Sequence, residues 1–101
     1  MDIIFENKEI ETLYRNGFCR KLKLDPEITK KFFIKMKILE SAKDIMDLRN
    51  PPSNRFEKLQ GNDLYSVRIN KKYRIEFKIV FDEGSTMTGK IIIVDLSNHY
   101  E

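Results

Sequence analysis

Residues 64–81 read LYSVRINKKYRIEFKIVF, and their apolar side chains recur at every second position on both sides of a polar centre. The alternating residues are Tyr65, Val67, Ile69, Tyr73, Ile75, Phe77 and Ile79. A period of two is typical of strands that bury one face and expose the other. The stretch therefore predicts two antiparallel strands that fold back at Asn70-Lys71-Lys72.

The register of this hairpin follows from keeping the buried and exposed faces separate. A two-residue loop would mix the two faces, which a sheet with one buried face does not tolerate. A three-residue loop pairs Ile69 with Tyr73 and sets Arg68 directly opposite Arg74. Like charges opposite each other destabilise a sheet by up to about 1 kcal/mol. We therefore expect a compensating group near the two arginines, and an anionic partner is one candidate.

The composition predicts one small globular domain spanning residues 1–101. The net charge of +3 favours polyanions only mildly. Cys19 is the single cysteine, so an internal disulfide is excluded and a reducing, cytoplasmic setting is expected. The N-terminus lacks the pattern of a signal peptide, and no apolar run approaches the ~20 residues of a membrane span. We expect no contact with a membrane.

The chain before the hairpin begins with a short strand and a short helix. Asp2–Phe5 reads as the strand, and we expect Ile3, Ile4 and Phe5 to be largely buried in it. Asn7 can cap the helix that follows, because its side chain can accept hydrogen bonds from the first turn. Asn16-Gly17 ends this helix, because either residue accepts a left-handed backbone.

Asp25-Pro26-Glu27 predicts the start of a second, longer helix, with a capping residue, a proline at the first position and an acid in the first turn. We expect this helix to end near Lys43, with Asp44–Leu48 as a candidate further turn. Its apolar stripe contains Ile28, Phe32, Met36, Leu39 and Ala42. Its lysines, interpreted as a solvated face, are Lys30, Lys31, Lys35 and Lys37.

The rest of the chain predicts two more strands. Residues 50–54 carry two consecutive prolines, which exclude regular structure there. Residues 55–59 then read as a strand, with a bulge or early turn at Leu59, and Lys90–Leu96 as the last strand. The apolar run Ile91–Val94 predicts a strand covered on both faces. The expected fold is α+β, with two N-terminal helices on one face of a mostly antiparallel sheet of four to five strands.

The sheet face opposite the helices is the candidate functional surface. A carboxylate, arginines, a histidine and a tyrosine on one surface could hold a phosphodiester and move protons around it. The residues expected there are Glu57, Arg68 and Arg74, with Lys58, Ser66 and Glu76 as further candidates and His99 and Tyr100 arriving from the end of the last strand.

Each of these residues also has a simpler interpretation. Arg68 and Arg74 could each pair with a neighbouring acid such as Glu57 or Glu76. His99 lies near the chain end, where exposure without function is common. Cys19 fits a small buried hydrophobe better than a nucleophile. The sequence contains no metal-ligand spacing, phosphate loop or serine elbow, so we expect neither metal nor cofactor.

The block L-x-G-x-x-x-Y-S-x-R-I-N-x-x-Y-R-I-x-F, within residues 59–77, resembles the RelE/ParE toxin superfamily, nearest to its HigB, or plasmid-maintenance killer, branch. The resemblance extends over nearly the whole chain. It implies a small basic toxin of a toxin–antitoxin system. HigB and RelE types cleave messenger RNA, usually on the translating ribosome, and an antitoxin neutralises them.

Similarity to YoeB-like members implies individual roles without a metal. Glu57 resembles the general base, Arg68 the group that holds the scissile phosphate, His99 the general acid and Tyr100 the residue that orients the nucleotide. The implied substrate-binding residues are Arg74, Lys58 and Arg55. The RNA 2′-hydroxyl would attack the adjacent phosphate and leave a cyclic phosphate and a free 5′-hydroxyl.

The resemblance also implies partners, and it leaves two alternative functions open. The expected partners are messenger RNA on the ribosome and a HigA-like helix-turn-helix antitoxin, through which alone the toxin would meet DNA. One alternative is a ParE-like inhibitor of DNA gyrase, although such an inhibitor needs no acid–base pair. The other is a catalytically inactive domain that binds RNA or a protein partner.

Overall fold

A computed structural model of the chain describes residues 1–98, and the three C-terminal residues lie outside this description. Two α-helices, α1 (Lys8–Asn16) and α2 (Pro26–Ser41), precede two short 3₁₀ helices at Ile45–Arg49 and Pro52–Asn54. The strands are β1 (Asp2–Phe5), β2 (Glu57–Lys58), β3 (Tyr65–Arg68), β4 (Tyr73–Phe81) and β5 (Gly89–Asn98). They form one sheet in the order β1-β5-β4-β3-β2, in which only the β1–β5 pair is parallel.

The hairpin of β3 and β4 has the predicted register. Arg68 lies opposite Arg74, and the Ile69 amide donates to the Tyr73 carbonyl at 2.9 Å. The Asn70 side chain closes the loop, because its Oδ1 accepts hydrogen bonds from the Lys72 and Tyr73 amides, both at 2.8 Å. Local turn chemistry and face separation therefore select the same pairing.

Both α-helices begin where the sequence predicts. The Asn7 side chain accepts hydrogen bonds from two amides of the first turn of α1, and Gly17 ends this helix with a φ of 86°. The Asp25 side chain caps α2 by accepting from the Glu27 amide at 2.9 Å. This helix ends at Ser41, two residues early, and the candidate further turn is a separate 3₁₀ helix that Asp44 caps.

The hydrophobic core lies between the helices and one face of the sheet. Its fully buried side chains are Ile10 and Leu13 of α1, Phe32, Met36 and Leu39 of α2, Leu48 of the first 3₁₀ helix, and Val67, Ile75, Phe77, Ile91 and Ile93 of the sheet. Burying one such side chain stabilises a fold by about 1.5–3 kcal/mol. This arrangement confirms the predicted α+β fold with helices on one sheet face.

Three expectations about burial were wrong. Two of them failed because the helices cover only one face of the sheet. Ile4 remains 46% exposed because it points to the face without helices. Ile91 and Ile93 are buried, but Ile92 and Val94 are only half-buried, so β5 is not covered on both sides. The third is Lys35, which is only 9% exposed although it was placed on a solvated face of α2.

The connection from α2 to the sheet also differs from the prediction. Pro52–Asn54 forms a turn of 3₁₀ helix after a cis peptide bond at Asn50-Pro51, so part of this segment is regular. Arg55 has a left-handed backbone (φ 44°, ψ 50°), and the predicted strand at residues 55–59 is reduced to Glu57–Lys58. Left-handed residues do not fit a strand, so pairing starts two residues later.

Candidate functional site

The face of the sheet away from the helices carries a small polar pocket of about 170 Å³. Strand pairing aligns Glu57 with Ser66 and Ser66 with Glu76 in one row across the sheet. The next row contains Arg68, Arg74 and Ser97. The pocket is lined by Arg55, Glu57, Ser66, Arg68, Asn70, Tyr73 and Arg74.

Arg74 is compensated from within the protein. Its Nη1 lies 3.2 Å from Glu57 Oε1, so the two side chains form an ion pair across β3. The Arg74 side chain is 18% exposed, whereas that of Glu57 is 55% exposed. The prediction that Arg74 could pair with a neighbouring acid is confirmed. The pair fixes the Glu57 carboxylate at the edge of the pocket while leaving it open to solvent.

Arg68 differs from its neighbour. Its Nε donates to the Asn70 carbonyl at 2.9 Å, which holds the side chain against the hairpin loop. Its terminal nitrogens form no ion pair with any residue from 1 to 98. A guanidinium presents two parallel donors to a phosphate or carboxylate. Arg68 is thus available to an anion that enters the pocket.

A buried polar network sets the position of Arg55 and Glu57. Asn54 is completely buried, and its side chain accepts from Lys35 Nζ at 2.7 Å and donates to the carbonyls of Leu48 (3.1 Å) and Asn50 (3.0 Å). These bonds hold the second 3₁₀ helix on α2, and the chain then turns at Arg55 into β2. Desolvation by burial lowers the pKa of Lys35 below its usual value.

Two more candidates lie at the floor of this surface. Ser66 is 2% and Glu76 is 8% exposed, so both are buried beneath the longer side chains of the site. The Ser97 hydroxyl donates to Glu76 Oε2 at 2.8 Å. This bond links β4 to β5 under the pocket, which is consistent with a structural role for Glu76.

The structure does not bring Lys58 into the pocket, which corrects its expected place on this face. Lys58 lies opposite Tyr65, whose side chain belongs to the face that carries the core. Its ammonium lies 6.0 Å from the Tyr65 ring centroid, a cation–π contact. Neighbouring residues of a strand point to opposite faces, so Glu57 and Lys58 cannot both reach the pocket.

His99 and Tyr100 lie outside the described residues. The strand that precedes them is described to its end: Ser97 lies opposite Arg74, and Asn98 opposite Tyr73 of the pocket.

Residues 1–98 contain no group of three or more histidine, cysteine or acidic side chains that could hold a metal ion. No helix within these residues is long and apolar enough to cross a membrane.

The sequence reasoning missed Asn70 and Tyr73 as pocket residues. Asn70 was identified as a loop residue, but its carbonyl also holds Arg68, and a backbone acceptor leaves no trace in residue type. Tyr73 was assigned to the alternating apolar set, which is consistent with its partial packing on the core. Its position at the end of the hairpin brings it to the pocket as well.

Two solved toxin structures share this fold. A YoeB/ParE toxin from Agrobacterium tumefaciens superposes with a TM-score of 0.54 at 16% identity, covering 99% of this chain and 100% of that one. A YoeB–YefM complex from Staphylococcus aureus gives a TM-score of 0.53 at 20% identity, covering 99% of this chain and 98% of that one. The chain therefore shares the fold of these YoeB-type toxins.

Sequence comparison then identifies the family within this class. The family model for the RelE-like toxin HigB of type II toxin–antitoxin systems matches residues 3–89. Toxin HigB-1 of Vibrio cholerae is 39% identical over 82 residues, 79% of this chain and 85% of that protein. A protein of Haemophilus influenzae is 36% identical over 85 residues, 82% of this chain and 83% of that protein. The chain belongs to the HigB-like toxin family and is a toxin of a type II toxin–antitoxin system.

Proposed function

We propose that this toxin is an endoribonuclease that cleaves messenger RNA on the ribosome and so inhibits translation. The observation that carries the proposal is the pairing pattern of the pocket. Glu57 and Arg74 form an ion pair, whereas Arg68 beside them forms none within residues 1–98. A fixed carboxylate next to an available guanidinium suits a reaction in which a proton leaves a nucleophile while negative charge develops on a phosphate.

In the proposed mechanism, side chains alone supply the acid–base chemistry. Glu57 removes the proton from the RNA 2′-hydroxyl, whose oxygen attacks the adjacent phosphorus. Arg68 binds the non-bridging oxygens of that phosphate and stabilises their developing charge. The bond from phosphorus to the 5′-oxygen breaks, His99 protonates that oxygen, and a 2′,3′-cyclic phosphate and a 5′-hydroxyl result.

The remaining site residues would position the reactants. Arg74 holds the Glu57 carboxylate through their ion pair. Arg55 lines the pocket and is suited to a neighbouring backbone phosphate. Tyr100 would orient a nucleotide by stacking. Lys58 is left out, because it lies on the other face of the sheet.

Primer extension on a transcript in the presence of ribosomes tests this function. We expect Glu57→Gln and His99→Ala to slow cleavage by about 10²–10⁴-fold, as for loss of a general base or acid. Arg68→Ala should slow it by about 10²–10³-fold, as for loss of a charge-stabilising donor. The matched control is Lys58→Ala, which removes a cation from the other sheet face and should cleave like the parent protein.

The products and the fold complete this test. Circular dichroism should show the same folded signal for all variants, and the cleaved strand should end in a cyclic phosphate. If the three site variants still cleave the transcript, the assignment of the site is wrong. If the parent protein leaves the transcript uncut while causing DNA damage in cells, gyrase inhibition replaces the nuclease function.

We further propose a HigA-like helix-turn-helix protein as the antitoxin, so that the toxin reaches operator DNA only through its partner. An antitoxin partner follows from membership of a type II toxin family, and the helix-turn-helix type rests on the HigB branch. A reading frame for such a protein beside the toxin's own, whose product copurifies with the toxin, would support this pairing. An adjacent antitoxin of another fold would overturn it.

A further inference from the structure

A second depression continues from the pocket over the hairpin loop to α2. It has a volume of about 570 Å³, and we call it the cationic groove because five of its lining residues are positively charged. These are Lys31, Lys35, Arg55, Arg68 and Lys71, and none of the lining residues in the described part of the chain is acidic. Arg55, Arg68 and Asn70 line both the pocket and the groove, so the two form one continuous surface.

Lys35 is the unusual member of the groove. It is only 9% exposed, and the one hydrogen bond of its ammonium within residues 1–98 goes to the neutral Asn54 at 2.7 Å. A buried ammonium without a carboxylate partner is costly, because a neutral amide replaces only part of its hydration. An anion in the groove would supply the missing counter-charge.

The other two lysines of the groove, Lys31 and Lys71, can bind an anion at small cost. Lys31 lies 3.5 Å from Glu27, but the two side chains are 44% and 73% exposed. Such surface pairs contribute little free energy, so an anion can displace Glu27 at small cost. Lys71 is exposed at the tip of the hairpin and forms no ion pair with the described residues.

We propose that the cationic groove binds the phosphodiester backbone of the same RNA strand whose scissile phosphate occupies the pocket. This inference rests on the proposed nuclease function, because it extends the same site along the substrate. Among residues 1–98, no aromatic side chain on which a base could stack lines the groove. Its charges therefore contact phosphates and set the path of the strand without reading its sequence.

Two double variants test the groove with the same change in net charge. Lys31→Gln combined with Lys71→Gln removes two groove cations. Lys30→Gln combined with Lys72→Gln removes the next lysine on the same helix and in the same loop, and neither of these lines the groove. The probe is a short single-stranded RNA with 2′-O-methyl groups, which has no 2′-hydroxyl for attack, and binding is followed by fluorescence anisotropy.

We expect the groove variant to bind this RNA roughly tenfold more weakly than the parent protein at about 0.15 M salt, because two phosphate contacts are lost. The slope of the logarithm of the binding constant against the logarithm of salt concentration should fall by about 1.4, or about 0.7 for each contact. The control variant should stay within about twofold of the parent affinity and keep its slope. Equal behaviour of the two double variants overturns the proposal.

Two further outcomes separate this inference from the proposed function. If Glu57→Gln abolishes cleavage while the groove variant binds RNA like the control, the nuclease function stands and the groove assignment fails. If the groove variant loses affinity as expected but the parent protein never cleaves RNA, the groove stands and the nuclease function fails. Weaker binding to ribosomes with unchanged binding to free RNA would assign the groove to ribosomal RNA and overturn the proposal.

Discussion

Arg68 and Arg74 are direct neighbours in the sheet, yet their surroundings give them different properties. Arg74 forms an ion pair with Glu57 and is mostly buried, so its charge is neutralised inside the protein. Arg68 is held by the Asn70 carbonyl, a neutral acceptor, and its positive charge stays available. The repulsion expected between facing arginines is relieved on one side only. At the level of single residues, this asymmetry is the reason why we propose Arg68 as the anion-binding group.

Tyr14 and Glu40 form a contact whose pH dependence can be predicted. The Tyr14 hydroxyl donates to Glu40 Oε1 at 2.6 Å. Burial and this hydrogen bond raise the pKa of Tyr14 to about 12, and the same bond lowers the pKa of Glu40. The native state thus holds the tyrosine proton more tightly, and the Glu40 proton less tightly, than the unfolded chain does. The contact should stabilise the fold between these two titrations and lose its effect at both ends.

We expect Tyr14→Phe to lower the free energy of unfolding by about 1 kcal/mol near neutral pH, a modest value because Glu40 is 40% exposed. The difference from the parent protein should shrink above about pH 10, where an unfolded tyrosine ionises. It should also shrink below about pH 4.3, where an unfolded glutamate takes up its proton. Urea unfolding across the pH range measures this difference. A difference that does not change with pH would contradict the prediction.

At the scale of elements, the link between α2 and β2 determines the geometry of the site. Its two 3₁₀ helices contain Leu48 and Asn54, both fully buried, and it ends in the left-handed Arg55. The strand that follows has only two residues. A strand this short does not fix its own position, so the link that precedes it places the Glu57 carboxylate beside Arg74.

We expect Asn54→Ala to destabilise the protein by about 3 kcal/mol or more, because it leaves Lys35 and two backbone carbonyls without partners in a buried place. Cleavage should fall as well, since Arg55 and Glu57 follow directly in the chain. Asn62→Ala is the matched control: its side chain accepts one exposed hydrogen bond, from the Leu64 amide at 2.8 Å. Urea unfolding and primer extension measure the two effects. Equal stability of the two variants would show that the buried network does not fix the link.

At the scale of the whole molecule, the sheet joins the two ends of the described chain. β1, at residues 2–5, pairs in parallel with β5, so Ile3 lies opposite Ile91. β4 and β5 pair over nine positions in the middle of the sheet. The pocket lies towards the opposite edge, where β2 pairs with β3 at only two positions. The site is thus built at the weakly paired edge of a strongly paired sheet.

Hydrogen exchange should reveal this difference in strand pairing between the middle of the sheet and the β2 edge. We expect the amides of Ile75, Phe77 and Ile93 to exchange only through global unfolding, which costs about 5–15 kcal/mol for a domain of this kind. Amides of the exposed turn at residues 60–63 should exchange with little protection, and those of β2 should lie between these extremes. Exchange measured by nuclear magnetic resonance tests this order. Protection of β2 equal to that of β4 would contradict it.

The sequence alone determined the features that depend on neighbouring residues. The period of two and the loop length determined that Arg68 faces Arg74, because a slip of one residue would expose the core face. Asn7 and Asp25 determined the helix starts, since a cap acts on amides two or three residues away. The family was predicted from the block within residues 59–77, and the family model and a 39% identical relative confirm it. Glu57 and Arg68 were predicted as site residues from the alternation of faces and from the resemblance to YoeB-like toxins.

Only the tertiary structure decided how distant segments meet. Lys35 is buried because Asn54, nineteen residues later, accepts its hydrogen bond. Glu57 contacts Arg74 because the link from α2 positions the two-residue strand β2 so that Glu57 pairs with Ser66. The same pairing places Lys58 on the other face of the sheet. These outcomes depend on contacts between segments far apart in the chain. Residue type and periodicity encode which face is apolar, but not which polar groups come together on the other face.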